Sequence, residues 1–405
     1  MSTDRRAPLV MAPFRGLRFD PDVVGDLGSV ISPPYDVLDA DTVRDLEAGN
    51  PRNIVRLILS RRYERPYRAV RERLEKWRAQ GCLVPDPEPA LYLYQYTVDA
   101  VTVRGIIGLV GLRVEQEGVV LPHEDVMPGP VDDRAVLMRT TRTNPEPILL
   151  VHEGTARLHE ILEEAMDGTP LVAFAGRDGS DHRVWAVTEP HVLAAVAAEL
   201  APGQALIADG HHRYAAYLRL QHQLRDPTAE VGASPWDYGL AMLVDQHDYP
   251  LSIGPIHRTL SGLTLADILD LSAERGDQVT GCTDREAALA ALATEDPDRA
   301  TFVVSDGRSW VTLTTKRSHE VDAAVLHSQL FPAWNVAEEQ VGYHHSLDQA
   351  LHNTARQPGV VIGVRPPRLQ QVMASAARGE RMPRKSTSFA PKPRMGVVLR
   401  DLRDA

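Results

Sequence analysis

Cysteine is scarce in this chain. Only Cys82 and Cys282 occur among 405 residues, far apart and in no spaced cluster. That pair excludes a zinc knuckle, a CxxC redox centre and a disulfide scaffold. No apolar run approaches the ~20 residues that a membrane-spanning helix needs. The opening MSTDRRAPLV has no apolar h-region, so a secretory signal peptide is not expected. An excess of basic charge is also lacking. Forty-four Lys and Arg face 55 Asp and Glu, a net charge of −11. Binding nucleic acid through bulk basicity is therefore excluded as an expectation, although a local basic pocket is not. Long low-complexity tracts and solenoid repeats are absent from the sequence. The expectation is a soluble cytoplasmic protein with neither a membrane nor a nucleic acid as partner.

Apolar residues are plentiful, at 43%, enough for more than one packed core. Pro33, Pro34 and Tyr35 set an extended, aromatic-capped turn. Asp41 to Glu47 reads as a short helix capped by Asp39 or Asp41. The run 53–59 reads as a strand. Residues 66–80 place Val70, Leu74 and Trp77 at helical spacing. Residues 91–98 and 105–114 alternate as hairpin strands, with 119–122 as a third. A loop from 122 leads into a helix ending near 141. Then come a strand at 146–154, a helix at 156–166, a hairpin turning at Asp178-Gly179 and a helix at 191–200. Residues 205–224 read as strand, tight turn and helix, and 238–245 as a strand. A loop holds residues 254–260. Beyond 260, helices at 265–273, 285–293, 348–355 and 368–378 and strands at 301–304, 309–314 and 359–364 describe a smaller unit. The expected fold class is α+β, a mixed α/β chain. Its expected parts are an N-terminal α/β segment (1–90), a central β-rich catalytic unit (91–260) and a C-terminal α+β unit (261–405) with a basic tail.

The segment IADGHHRYAAY, residues 207–217, carries the strongest chemical signal. An apolar strand delivers the chain to Asp209, Gly210, His211, His212 and Arg213, at the first turn of a helix. Unpaired N–H groups and the positive dipole end favour an anion there. Gly210 permits close backbone approach. Arg213 suits a phosphate or carboxylate, and Asp209 a Mg²⁺ ion or a substrate amine. The competing reading is a plain cap by Asp209 with solvated histidines. A second constellation is His123-Glu124 after Pro122, where Glu124 suits a general base or a Mg²⁺ ligand. The pattern HExxH is absent. A third is Met382-Pro383-Arg384-Lys385-Ser386-Thr387, with Lys392 beyond. Gly379 stands six residues before Lys385, but Arg384 occupies the position where a P-loop has glycine, so a Walker motif is excluded. Lys385, Ser386 and Thr387 still suit phosphate. His257-Arg258 and Asp132-Asp133-Arg134 each read, taken alone, as solvated charge.

Taken together, ISPPYDV (31–37), LPHE (121–124), DDRAVLMR (132–139), DGHHRY (209–214), IHR (256–258) and MPRKSTSFAPKP (382–393) resemble the bacterial and archaeal family called domain of unknown function 1015. The resemblance runs from about residue 12 to residue 400. That family usually has a hydroxyl residue two positions after the glutamate, where this chain has Val126. More distantly, IADGHHRYAA resembles the signature box of the ParB/sulfiredoxin superfamily, above all the DGHHR of the free-serine kinases. What this implies is a ParB/sulfiredoxin-like central unit that moves phosphate between a nucleotide and a small hydroxyl metabolite such as serine. Glu124, Asp209 and His211 are the implied catalytic residues. Gly210, His212, Arg213, Arg134, Lys385, Ser386 and Thr387 would hold phosphate or nucleotide, and His123, Tyr35, His257 and Arg258 the substrate. Mg²⁺ at Asp209 and Glu124, with ATP or ADP as co-substrate, completes the implied set. The same site suits a phosphomonoester phosphatase, and a nucleotide-binding regulator without turnover is the reading of another class. A metal-dependent hydrolase using His123, Glu124, His211 and His212 is a further one.

Overall fold

The computed structural model describes residues 6–59, 66–319 and 321–403, and the fold is mixed α+β. The chain divides into two compact units. One comprises 1–122, 126–251 and 391–405, and the other 123–125 and 252–390.

In the first unit a nine-stranded sheet runs Val120–Leu121, Ala205–Asp209, Ile148–His152, Tyr238–Asp245, Val101–Gly111, Leu91–Val98, Asp181–Val187 and Val172–Ala175, with Met11–Ala12 beside Val101–Gly111. The hairpin expected near 91–114 forms, with Leu93 opposite Ile106. The expected third strand of that hairpin does not join it. Val120 and Leu121 instead pair in parallel with Ala205 and Leu206 at the far edge, because that buried segment completes the sheet beside a strand of equally apolar residues. The helix Pro128–Thr141 buries Val131, Ala135 and Met138, and His211–Leu224 buries Tyr214, Tyr217 and Leu220, in the same core as the sheet residues Ile148, Leu150 and Leu243. A four-stranded sheet joins Leu83–Pro85, Gly16–Phe19, Leu399–Asp401 and Thr143–Asn144, so the last residues belong to this unit.

Residues 53–59 are not a strand. Val55–Ile58 is a helical turn. Asn53, fully buried, accepts the Val55 N–H (3.0 Å), and the Ile54 N–H goes to the Val30 carbonyl (2.8 Å). Local side-chain bonding has overridden the β-branched run.

The second unit is built on a six-stranded sheet in the order Gln278–Cys282, Trp310–Lys316, Arg299–Ser305, Gly359–Gly363, His257–Ser261 and Val341–His344. The segment read as a loop at 254–260 therefore holds a strand, paired on both sides. A two-stranded ribbon pairs Ser252–Gly254 with Ser388–Ala390. His123–Asp125 belongs to this unit through its pairing with Met382, whose N–H donates to the His123 carbonyl at 2.8 Å. Among the described residues no helix is long and apolar enough to cross a membrane.

Candidate functional site

The strand Ala205–Asp209 is buried to its last residue but one, and its register against Ile148–His152 shifts between Ile207 and Asp209. Such a bulge re-aims the side chain at a strand end. Gly210 follows with φ 98°, a left-handed conformation. A Cβ there would lie 2.8 Å from Ile148 Cγ2, so space as well as torsion requires glycine. Gly210 itself is the N-cap of the helix His211–Leu224, and no side chain caps it. Asp209 therefore does not cap this helix, and the plain-cap reading falls.

Asp209 points instead into a buried array of charge. Its Oδ1 accepts from Lys392 Nζ at 2.6 Å, and its Oδ2 from Arg213 one helical turn on. Lys392 also reaches Asp36. Arg213 donates to the Pro147 carbonyl and lies 3.4 Å from Glu146, which Arg134 approaches at 3.8 Å. The guanidinium carbons of Arg134 and Arg213 stand 5.1 and 5.8 Å from the Tyr35 ring centre. Three carboxylates thus meet three cations around one aromatic ring. Burial alone would raise the Asp209 pKa, but Lys392 and then Arg213 outweigh it and hold the carboxyl well below its ordinary value. At Glu146 burial wins against both arginines, and its pKa is raised. His211 faces Asp209 closely enough to favour its charged form. The Nε2 of His212 accepts the Met127 N–H at 3.0 Å, which anchors the start of the helix Pro128–Thr141.

In the second unit the Glu124 carboxylate sits in a loop of main-chain donors. Oε2 accepts the Lys385 N–H (2.9 Å), and Oε1 accepts the Ser386 N–H (3.0 Å), the Thr387 N–H (2.9 Å) and the Thr387 hydroxyl (2.9 Å). Lys385 has φ 58°, the left-handed turn that aims successive N–H groups at one point. The Thr387 hydroxyl spends its proton on Glu124, so His123 Nε2, 2.8 Å away, donates to it. No hydrogen bond or ion pair engages the Lys385 ammonium among the described residues.

Arg258 braces this loop from the sheet. It is fully buried, not solvated, because its strand is interior. It donates to the Lys385 carbonyl (2.9 Å), the Ile256 carbonyl and His327 Nε2 (3.3 Å), and lies 5.1 Å from the Tyr343 ring centre. Burial lowers its pKa to about 10. His257 is likewise buried. Its Nδ1 accepts the Val364 N–H at 3.2 Å, and burial, with Arg258 beside it, lowers its pKa to about 4. The expectation of solvated charge fails at Arg134 too, whose side chain is 13% exposed.

Tyr35, Arg134 and the Asp209–Arg213 turn are therefore gathered in the first unit, and His123, Glu124, Lys385, Ser386, Thr387, His257 and Arg258 in the second. Asp36, Glu146 and Lys392 complete the first group, and of these the sequence motifs carry only Lys392, beyond the Met382–Thr387 run. One signal pointed at Lys392. The chain has 4 lysines against 40 arginines, and two of the four stand at 385 and 392. A Mg²⁺ ion does not fit Asp209 as bonded, since both oxygens already face cations and a third would be repelled. Nor does any group of three or more His, Cys, Asp or Glu among the described residues form a metal-ligand set, which leaves the metal-hydrolase reading without one.

No curated protein matches the chain. Among solved structures, a point mutant of a free serine kinase in complex with ADP is similar at 14% identity and a TM-score of 0.40, covering 75% of this chain and 93% of that one. A free serine kinase in complex with AMP gives 14% and 0.40, with coverages of 73% and 91%. SbnI from Staphylococcus aureus, with a C-terminal truncation, gives 14% and 0.40, with 72% and 85%. A family model matches residues 11–337, most of the chain, and the protein belongs to that family, described as Protein of unknown function (DUF1015).

Proposed function

We propose that this protein handles a phosphoryl group on a small molecule, as a nucleotide-dependent phosphotransferase that moves phosphate to or from a hydroxyl metabolite such as serine. One observation carries the reading. Three successive main-chain N–H groups and a hydroxyl, from Lys385, Ser386 and Thr387, converge on one anion, and the Lys385 ammonium of the same loop has no partner among the described residues. Fixed donors of this kind suit the oxygens of a phosphate as well as a carboxylate, and they need no reorganisation when charge develops.

In this reading the loop is a phosphate cradle and Glu124 is its resident anion. Four donors from the loop hold its carboxylate, three at Oε1 and one at Oε2. The terminal phosphoryl of the nucleotide competes for those donors, Lys385 offsets its charge, and the released Glu124 takes the proton of the acceptor hydroxyl, whose oxygen bonds to phosphorus as the phosphoanhydride bond breaks and the shortened nucleotide leaves. Arg258 keeps the loop in shape. The Asp209–Arg213 network fixes the turn at the start of the helix His211–Leu224, so its role is to hold that helix end rather than to grip phosphate through Arg213. ATP or ADP is the phosphate source, and the cell interior the site of action.

The firm hold on Glu124 favours one other reading, a nucleotide-binding regulator without turnover, in which the carboxylate never leaves its cradle. Product analysis separates the two. The protein is incubated with ATP, ADP or CTP, Mg²⁺ and a panel of hydroxyl acceptors that includes serine. Formation of a phosphomonoester such as phosphoserine, lost in Glu124→Gln with nucleotide binding nearly intact, supports the enzyme. Nucleotide binding without phosphorylated product or free phosphate across the panel supports the regulator.

A further inference from the structure

We propose that the first unit carries a second small-molecule site, a cleft for a single-ring aromatic anion. The cleft has a volume of about 200 Å³, and its walls include Ile31, Pro33, Leu46, Phe174, Arg177 and His182. A cavity of ~150 Å³ is enough for benzene, so this one has room for one ring and a small charged group.

The walls select the ring. Ile31, Pro33, Leu46 and Phe174 are apolar, and Phe174 is half-buried. The Phe174 ring lies on the His182 ring, with centres 4.7 Å apart and planes 16° apart. His182 cannot swing. Tyr94 Oη lies 2.9 Å from its Nδ1 and Ser180 Oγ 2.7 Å from its Nε2. A rigid aromatic wall suits a flat partner.

The mouth selects the charge. Arg394 also lines the cleft, but Asp178 and Ser180 hold it. Arg177 is exposed, and no hydrogen bond or ion pair holds its guanidinium among the described residues. Room for it is built in. A Cβ on Gly49, at the end of the helix Ala40–Gly49, would come within 2.9 Å of Arg177 Nη2. A Cβ on Gly28, which also lines the cleft, would run into the Ala175 carbonyl oxygen, so the chain packs against the strand Val172–Ala175 there only through glycine. Asp45 is the other charge lining the cleft that no side chain holds among the described residues, and it repels a second anionic group on the ligand.

The test is calorimetric titration of the full chain with benzoate, benzamide and benzylamine, which share one ring and differ in charge. Benzoate binds best to the native protein. Arg177→Ala weakens benzoate by about tenfold and leaves benzamide unchanged, as loss of a charge-assisted contact requires. Arg177→Glu reverses the order of benzoate and benzylamine. Arg177 is exposed, and an unchanged melting temperature confirms that both variants fold. No binding of any probe to the native protein, benzylamine binding best, or benzoate affinity unaffected by either substitution would overturn the proposal.

Discussion

Thr387 binds the Glu124 carboxylate twice, through its N–H and through its hydroxyl, each at 2.9 Å to the same oxygen. The main-chain bond survives any side chain, whereas the hydroxyl bond does not. Thr387→Val leaves a buried carboxylate oxygen one donor short and takes the acceptor from His123. It should cost about 1.5–3 kcal/mol, the range for a hydrogen bond to a charged group. Thr387→Ser should cost much less. Urea denaturation of both variants checks this, and a loss in Thr387→Val no larger than that in Thr387→Ser would contradict the role of the hydroxyl.

Arg213 and Glu146 are coupled. Both are buried, 3.4 Å apart, and each is the other's compensation in a poorly solvated place. Arg213→Met alone should cost about 3–5 kcal/mol, because it leaves a carboxylate buried beside fewer cations. Arg213→Met with Glu146→Leu should recover a good part of that loss. A double-mutant cycle by denaturant titration gives the coupling, and additivity within about 0.5 kcal/mol would show no interaction.

Gly210 is held by torsion and by space. Gly179, in the same unit, has φ 81°, and a methyl group there would meet nothing within 4 Å. Alanine at 179 should cost only the left-handed torsion, about 1–2 kcal/mol. At 210 the added methyl also strikes Ile148, so Gly210→Ala should cost clearly more. Melting temperatures of the two variants compare them directly, and equal shifts would remove the steric part.

His182 makes stability depend on acid. Burial first, then Arg394, lowers its pKa from 6.5 to about 4. As pH falls from 6.5 to about 4, the unfolded chain takes up a proton there that the folded chain refuses. The stability due to a neutral His182 is therefore whole above 6.5, falls across that window and levels off below it. An NMR titration should find the His182 ring signals constant down to pH 5, and a midpoint near 6.5 would contradict the burial argument.

The strand, turn and helix at 205–224 were legible because four apolar residues, an Asp-Gly turn and a helical repeat follow one another directly. The buried His257-Arg258 pair was not. A polar doublet looks solvated until two neighbouring strands, Val341–His344 and Gly359–Gly363, close over it. Residues 53–59 misled through β-branched side chains, since the decisive bonds come from Asn53 and from Val30, well upstream. The partners of Asp209 were hidden for a related reason. Lys392 lies 183 residues away from it in sequence, and 356 from Asp36. No local pattern encodes such pairs. Motif order did bring out the family, and it named both Glu124 and Lys385, but not that one already holds the other.

That contact is also the one that ligand binding must break. Amide resonances of Lys385, Ser386 and Thr387, followed in a ¹⁵N-labelled sample as ADP and then inorganic phosphate are added, report directly on the cradle. In a phosphate cradle all three shift with either ligand, and Lys385→Ala weakens the effect. Resonances that stay in place while ADP binds the protein would contradict it.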